Sequence, residues 1–251
     1  MRDVACSTAV WACVALAVHS IFANTAAEAG IVVSFQEGVD GYAGTQDTWI
    51  SELEGDHGAD ATLFWDGPTG TGSINPLLRF DNIIGNAAGQ IAPGSAILSA
   101  TLTLEITGNF GEVANLHRML VTWSETDTYA TLVDGVSLDD VEAVAALDAT
   151  TSSGQVSPIT VDVTASVQQW ASGAANFGWL IDQPTTDGVT VHSSEAVTPS
   201  LRPLLVVEFQ QQVPEPSTLT LAGLGAIGLI GLGRRRGKKA PEHGPITESS
   251  I

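Results

Sequence analysis

Apolar side chains recur at every second position through most of the chain between residues 30 and 213. The clearest run spans residues 100–107, in which Leu102, Leu104 and Ile106 share one face and polar residues occupy the other. A period of two places successive side chains on opposite faces, which is the pattern of a half-buried β-strand. Similar runs, bounded by Gly, Pro, Asn or Asp, cover residues 31–36, 48–53, 61–66, 77–81, 113–123, 159–163, 177–182, 188–193 and 204–209.

This succession of short strands predicts an all-β fold, an antiparallel β-sandwich or jelly roll. Short helices are expected in the connections, at residues 139–147 and 164–171. Glycine-rich stretches at residues 67–73 and 85–94 indicate exposed loops.

The charge of the strand-rich stretch restricts the partners that it can bind. Residues 30–213 contain 23 Asp and Glu but only three basic residues, Arg79, Arg118 and Arg202. A surface this negative repels phosphate groups, so we expect no nucleic-acid partner. It also disfavours an anionic polysaccharide, because no basic groove can be built from three arginines.

The N-terminal segment has the features of a signal peptide. Residues 4–23 are apolar apart from small polar residues and one His, and the Ala-Glu-Ala sequence at 27–29 offers a small-x-small cleavage site. We therefore expect residues 1–29 to be removed, with an uncleaved membrane helix as the alternative. Because Cys6 and Cys13 both lie in this segment, the mature chain would have no disulfide, thiolate nucleophile or Cys-bound metal.

A second targeting segment spans residues 213–239 and has three parts. Its uncharged run at 217–233 is close to the minimum length for crossing a bilayer core of about 30 Å. The run follows Pro214, Glu215 and Pro216 and precedes a basic cluster. That cluster consists of Arg234, Arg235, Arg236, Lys238 and Lys239.

This order of parts resembles the PEP-CTERM sorting signal of bacterial exported proteins. The resemblance implies an exosortase-type membrane protease as a partner and a destination at the cell surface or in an extracellular matrix. Residues 217–233 would anchor the chain in the cytoplasmic membrane at least transiently, and the basic cluster would hold residues 30–213 on the outer side. An ordinary single-span anchor is the alternative. The polar tail at residues 240–251 departs from the usual pattern.

Seven short stretches between the two targeting segments resemble, in order, parts of the DNRLRE-domain family. The resemblance covers residues 34–209, within a predicted domain at 30–212. It implies an exported β-sandwich of a kind that accompanies polysaccharide-degrading domains or occurs in surface proteins, with carbohydrate binding in some members. The stretches are residues 46–50, 57–58, 77–81, 93–102, 123–127, 162–170 and 193–204.

Three residues are the candidates for ligand binding. Tyr42 and Tyr129 lie in glycine- or threonine-rich turns and are expected to be exposed, where a ring can stack on the apolar face of a sugar. Arg79 could grip a carboxylate or sulfate. The alternative for Arg79 is a structural ion pair with an acid such as Asp81. Three of the tryptophans are expected in the core instead: Trp123, Trp170 and Trp179.

Calcium is the one cofactor that the sequence suggests. Acidic residues crowd two early loops, and from these Asp40, Asp47 and Asp56 are the candidate ligands, because Ca²⁺ prefers several oxygen donors. The chain has no Asp-x-Asp-x-Asp-Gly loop, so a solvated acidic face is the alternative.

The sequence thus predicts a non-catalytic exported protein, with extracellular polysaccharide as its partner. His57, His117 and His192 show no zinc-binding spacing, and no pair among so many acids stands out as catalytic. Two alternatives stay open: a small polysaccharide-active hydrolase or lyase on the same scaffold, and a purely structural surface or matrix protein.

Overall fold

The computed structural model describes residues 30–53, 55–69, 72–108, 113–151 and 157–211, all within one compact unit that ends at Gln211. These residues form twelve β-strands, one α-helix and one short 3₁₀ helix at Pro199–Leu201. The strands are β1 (Ile31–Gln36), β2 (Thr45–Ser51), β3 (Thr62–Thr69), β4 (Gly72–Phe80), β5 (Ala96–Leu104), β6 (Ile106–Gly108), β7 (Asn115–Arg118), β8 (Ala149–Thr150), β9 (Ile159–Asp162), β10 (Trp179–Asp182), β11 (Val189–His192) and β12 (Leu204–Gln210).

The strands form two antiparallel sheets, which confirms the all-β sandwich expected from the sequence. The smaller sheet has the order β1-β12-β5-β9. The larger sheet has the order β6-β11-β3-β4-β10-β7-β8, with β2 added beside β4. Strand β12 pairs with β1 from Ile31 opposite Phe209 to Gln36 opposite Leu204, so the described part of the chain begins and ends at the same end of the smaller sheet.

The main core lies between the sheets and follows from the period-two pattern. On β5, Leu102 and Leu104 are buried while Thr101 and Thr103 are only partly covered. Strand β12 alternates in the same way. Other buried members of this cluster are Phe35, Leu63, Trp65, Leu78, Phe80, Leu116, Trp170, Trp179, Val191, Leu205 and Val207.

A second apolar cluster lies on the opposite face of the larger sheet. Strands β4 and β10 are buried on both faces: Leu78 and Trp179 belong to the main core, whereas Leu77 and Leu180 belong to the second cluster. The loop after β7 covers this face with Met119, Trp123 and Ala143. All three tryptophans expected in the core are therefore buried, and this expectation is confirmed.

The single α-helix of the described residues, α1 (Thr164–Ala171), has the predicted bounds. Its Trp170 ring packs against Trp179, with 4.7 Å between ring centroids. The Trp179 indole donates to Ser166 Oγ at 2.9 Å, and that hydroxyl donates to Asp148 at 2.7 Å. The helix thus closes one side of the core with its buried polar groups paired.

The helix predicted at residues 139–147 is wrong, because this segment consists of bends and a single β-bridge between Ala143 and Met119. Asp139 accepts the Val141 N–H at 2.9 Å and Asp140 accepts the Ala145 N–H at 2.9 Å. Short acidic side chains that bind the nearby backbone compete with helical hydrogen bonds. Asp140 also has a φ of 67°, which a helix does not allow.

The loop prediction at residues 67–73 is also partly wrong, since β3 continues to Thr69 and β4 begins at Gly72. Between residues 85 and 94 the expected loop is present. The signal peptide at 1–29, the apolar segment at 217–233 with its expected C-terminal helix, and the polar tail at 240–251 lie outside the described residues. Within the described ranges, no helix is long and apolar enough to cross a membrane.

Replacing Leu102 with Ala tests whether the inter-sheet contact stabilises the domain. Leu102 is fully buried, so Leu102→Ala should lower the free energy of unfolding by about 2–5 kcal/mol. Leu98 is on the same strand but 46% exposed, and Leu98→Ala should cost less than about 1 kcal/mol. Urea denaturation of the full chain measures both, and equal losses would contradict the assignment of the two faces.

Candidate functional site

A cavity of about 510 Å³ lies beside the edge strand β1, and we call it the Tyr42 groove. One wall is formed by Val33, Ser34 and Phe35 of β1 and by the turn at residues 40–43. The other is formed by Asn82 and residues 87–90 of the loop after β4. Because these segments come from both sheets, the groove exists only in the assembled sandwich.

The turn that carries Tyr42 is held by hydrogen bonds at both ends. The N–H of Gly38 donates to the Tyr42 carbonyl and the N–H of Tyr42 donates to the Val39 carbonyl, each at 2.9 Å. Gly41 has a φ of 82°, a left-handed conformation that glycine adopts without strain. The Glu37 carboxylate then accepts the N–H groups of Gly44 and Thr45 at 2.9 and 3.0 Å. The position of Tyr42 is therefore fixed before any ligand binds.

Tyr42 is half-buried rather than exposed, which corrects the expectation from its glycine-flanked sequence. Its hydroxyl donates to the Asp81 carbonyl at 2.9 Å. Its ring meets the Phe35 ring edge-on, with 5.3 Å between centroids. Burial raises the pKa of the phenol, and the negative charges of Asp81 and Glu37 raise it further, so the hydroxyl stays protonated at ordinary pH.

The opposite wall is a short loop organised by one glutamine. Gln90 Nε2 donates to the Asn82 carbonyl at 2.6 Å, and Gln90 Oε1 accepts the Ala87 N–H at 3.0 Å. Ile83 and Ile91 anchor the loop in the core. The polar side chains that line the groove are Ser34, Asp40, Asn82 and Gln90, and among its described lining residues Asp40 is the only charged one.

A smaller cavity of about 260 Å³ continues the groove along β1. It shares Val33 and residues 87–90 with the Tyr42 groove, and it adds Ile31, Phe209 and Gln211. The two cavities together follow β1 from the turn at residues 40–43 to the end of the described chain. This length suits an extended ligand better than a single small molecule.

Arg79 does not line the Tyr42 groove, and its guanidinium group binds other groups of the domain. Its Nε lies 2.7 Å from Asp81 Oδ1, Nη1 donates to the Trp123 carbonyl at 2.9 Å, and Nη2 donates to Gln46 Oε1 at 3.0 Å. The guanidinium also lies over the Trp123 ring, 4.9 Å from its centroid. These contacts fit the structural alternative, in which Arg79 pairs with Asp81, and leave no nitrogen directed at a ligand.

A second polar cavity, of about 390 Å³, lies behind the turn that carries Tyr42, and we call it the acidic cavity. Glu37, Glu125, Glu195 and Arg202 line it together with Thr45 and Gln46. Burial and the charge of Glu195 raise the pKa of the Glu125 carboxyl. Asp47, on β2, lies buried next to these acids, and burial and Glu195 raise its pKa well above the usual range.

The remaining predicted site residues lie in separate places. Tyr129 is half-buried in the loop after β7, like Tyr42 and not exposed as expected. Its carbonyl accepts the Gly135 N–H, and it does not line the Tyr42 groove. Of the calcium candidates, Asp40 lines that groove, Asp47 is buried, and Asp56 accepts the Gly58 N–H in an exposed loop. Across the part of the chain that the structure describes, no three acidic, His or Cys residues are arranged to hold a metal ion.

Sequence reasoning missed Asn82, Gln90 and Ser194, which help to form the two cavities, and it did not place Asp47 beside Ser194. Gln90 lies in the loop predicted at residues 85–94 only as exposed, and Asn82 lies before that loop. Nothing in the spacing of these two residues indicates a wall opposite Tyr42. Asp47 and Ser194 are joined by a hydrogen bond although they lie 147 positions apart. Only the pairing of the strands brings such residues together.

Comparison with known protein families matches residues 212–236 to the PEP-CTERM protein-sorting motif. This match confirms the sorting signal expected from the sequence and indicates an exported protein that is sorted by an exosortase system, with transient membrane anchoring. No curated protein matches the chain. The resemblance of residues 34–209 to DNRLRE-domain proteins stays a prediction.

Replacing Pro214, Glu215 and Pro216 with Ala should block recognition of the sorting motif. We expect the variant to stay in the membrane fraction with its C-terminal peptides intact, whereas the wild-type chain loses them in a host that has the exosortase. Mass spectrometry of the two fractions measures this.

The matched control for the sorting motif is Pro241→Ala with Glu242→Ala, a change of the same residue types beyond the motif. This control should be processed like the wild type. Normal processing of the Pro214, Glu215 and Pro216 variant would contradict the assignment.

Proposed function

We propose that this exported protein is a non-catalytic surface module that binds a neutral glycan chain in the Tyr42 groove. The observation that carries the proposal is the groove itself: a fixed aromatic ring beside three neutral polar side chains, Ser34, Asn82 and Gln90. Sugars present apolar faces that stack on aromatic rings, and hydroxyl groups that bind amides and carbonyls. The extension of the groove along β1 favours a chain of several sugar units over a monosaccharide.

The choice of a neutral glycan rests on charge. The described lining residues of the groove include no Lys or Arg, and Asp40 would repel a uronate or a sulfate. All three arginines of the domain bind protein groups: Arg79 binds Asp81, Arg118 binds Asp148, and Arg202 binds the carbonyls of Ala196 and Glu37. An anionic polysaccharide would therefore find no counter-charge in the groove.

An enzyme on the same scaffold is the second candidate, and one observation favours it. Glu125 and Glu195 line the acidic cavity together. The pKa of the Glu125 carboxyl is raised, and catalytic general acids often have a raised pKa. Against this, Asp47, the acid buried beside the cavity, cannot touch a substrate. Release of reducing ends from a neutral polysaccharide, lost in Glu125→Gln, would favour the enzyme over the binding module.

Replacing Tyr42 with Ala tests the binding proposal. Tyr42→Ala should weaken retention in affinity gels that contain neutral polysaccharides by about tenfold or more, which corresponds to about 1.4 kcal/mol. Tyr42→Phe keeps the ring and should retain most of the binding. The full chain is used, and its circular dichroism shows that each variant is folded.

Tyr129→Ala is the matched control, because it removes the same side chain outside the groove. It should bind like the wild type. Equal loss in the two alanine variants, or binding to anionic polysaccharides alone, would overturn the proposal. A purely structural protein would show no retention by any polysaccharide and would self-associate instead.

A further inference from the structure

Strand β1 is an edge strand, and its outer side has no partner strand in the part of the chain that the structure describes. It is the terminal strand of the smaller sheet, with β12 as its neighbour. Its register with β12 runs from Ile31 to Gln36 without a bulge. The N–H and C=O groups along such an open edge can bind a further strand.

The backbone groups of Val32 and Ser34 point outward from this edge. In an antiparallel sheet, successive residues of a strand direct their N–H and C=O groups to alternate sides. The Gln36 carbonyl accepts the Val39 N–H of the following turn at 3.0 Å, so Gln36 faces away from β12. Ser34 and Val32 have the same parity and therefore face the same way. Among the described residues, none forms a backbone hydrogen bond with these outward groups.

Strand β1 lacks the features that usually protect an edge from pairing. Its six residues, IVVSFQ, include no charged residue, proline or glycine. The other edge strands of the described ranges differ: β6, β8 and β9 have at most four residues each, and β2 carries Asp47. Natural proteins keep exposed edges short, or place charges, prolines or bulges on them. A long, uncharged and regular edge therefore favours a partner strand.

The space beside β1 is open to such a strand. Val33, Ser34 and Phe35 line the Tyr42 groove together. Because neighbouring residues of a strand point to opposite faces of the sheet, a cavity that touches all three lies along the edge. The smaller cavity continues this space beside Ile31 and Val33. An approaching strand thus meets open space rather than packed side chains.

Charge favours a second copy of this chain as the partner. Residues 30–213 contain 23 acidic residues and three arginines, so most of the surface repels another copy. Strand β1 is uncharged, and pairing it with itself places no like charges opposite one another.

The strand is also complementary to itself. With Val33 opposite Val33 of the second copy, Val32 of each copy faces Ser34 of the other. The outward N–H groups then meet outward carbonyls in both directions. Val32, which is 62% exposed, also loses contact with water.

We propose that two copies of this chain associate through β1, antiparallel across a two-fold axis, and so join their smaller sheets into one. The interface is isologous, because the same strand serves in both copies. Salt strengthens the association, because it screens the repulsion between the two acidic domains. The proposal does not rest on glycan binding. A glycan in the Tyr42 groove and a second copy use the same edge and exclude each other.

Cysteine cross-linking tests the pairing and its register. In a full chain with Cys6→Ala and Cys13→Ala, Val33→Cys should form an intermolecular disulfide on mild oxidation, seen as a dimer on a non-reducing gel. Opposite residues of a non-hydrogen-bonded antiparallel pair have Cα atoms about 4.5 Å apart, which a disulfide spans. Val32→Cys alone should cross-link far less, because its two copies lie diagonally, about 7–8 Å apart. A mixture of Val32→Cys and Ser34→Cys should cross-link.

Replacing Ser34 with Pro tests whether the dimer depends on the outward N–H groups. Proline has no N–H, and because Ser34 faces away from β12, the pairing of these two strands is kept. Ser34→Pro should move the midpoint of the monomer–dimer equilibrium to a protein concentration higher by about tenfold or more, measured by sedimentation of the full chain in mild detergent. Val32→Pro makes the same change at the other outward residue and replaces Ser34→Pro if that variant fails to fold.

Ser34→Ala is the matched control, because it removes the hydroxyl but keeps the N–H. It should dimerise like the wild type. The proposal is overturned if the wild-type chain stays monomeric at every protein and salt concentration, as expected if the edge served a foreign strand instead. It is equally overturned if Val33→Cys does not cross-link, or if the folded proline variant dimerises as well as Ser34→Ala.

Discussion

The sandwich depends on the position of its last strand. β12 lies in the middle of the smaller sheet, paired with β1 on one side and β5 on the other. Its side chains Leu205, Val207 and Phe209 are buried in the main core. The smaller sheet cannot form until residue 210 is available, and the sorting motif begins at residue 212. In the chain, the sorting motif thus follows almost directly after the strand that completes the smaller sheet.

The same arrangement explains where the two cavities lie. Pairing with β12 fixes β1, and the turn that follows β1 contributes to both cavities: Tyr42 lines the groove and Glu37 lines the acidic cavity. Arg202, just before β12, donates to the Glu37 carbonyl at 2.9 Å and braces the turn from behind. The Glu37 carboxylate also holds Gly44 and Thr45, so one residue supports the turn between the two cavities.

The sequence predicted those strands and helices whose formation depends on the pattern of neighbouring residues in the chain. The period of a strand was enough to predict β5, in which Leu102 and Leu104 alternate with threonines. Helical spacing was enough to predict the helix at residues 164–171. The segment at 139–147 had an equally helical pattern, but Asp139 and Asp140 bind the backbone locally and end it. The ion pair between Arg79 and Asp81 could be predicted, because Asp81 follows Arg79 by two positions at the end of β4. The hydrogen bond from the Ser194 N–H to Asp47 could not be predicted, since it depends on where a distant loop crosses β2.

The central claim is that an exported sandwich binds a neutral glycan along β1, and hydrogen exchange of the full chain tests it most directly. Amide exchange is measured by mass spectrometry with and without a panel of neutral polysaccharides. The account predicts slower exchange confined to the two walls of the Tyr42 groove: residues 33–35 and 40–43 on one side, and residues 82 and 87–90 on the other. Protection in the loops around Glu125 and Glu195 instead, or no protection with any neutral polysaccharide, would contradict it.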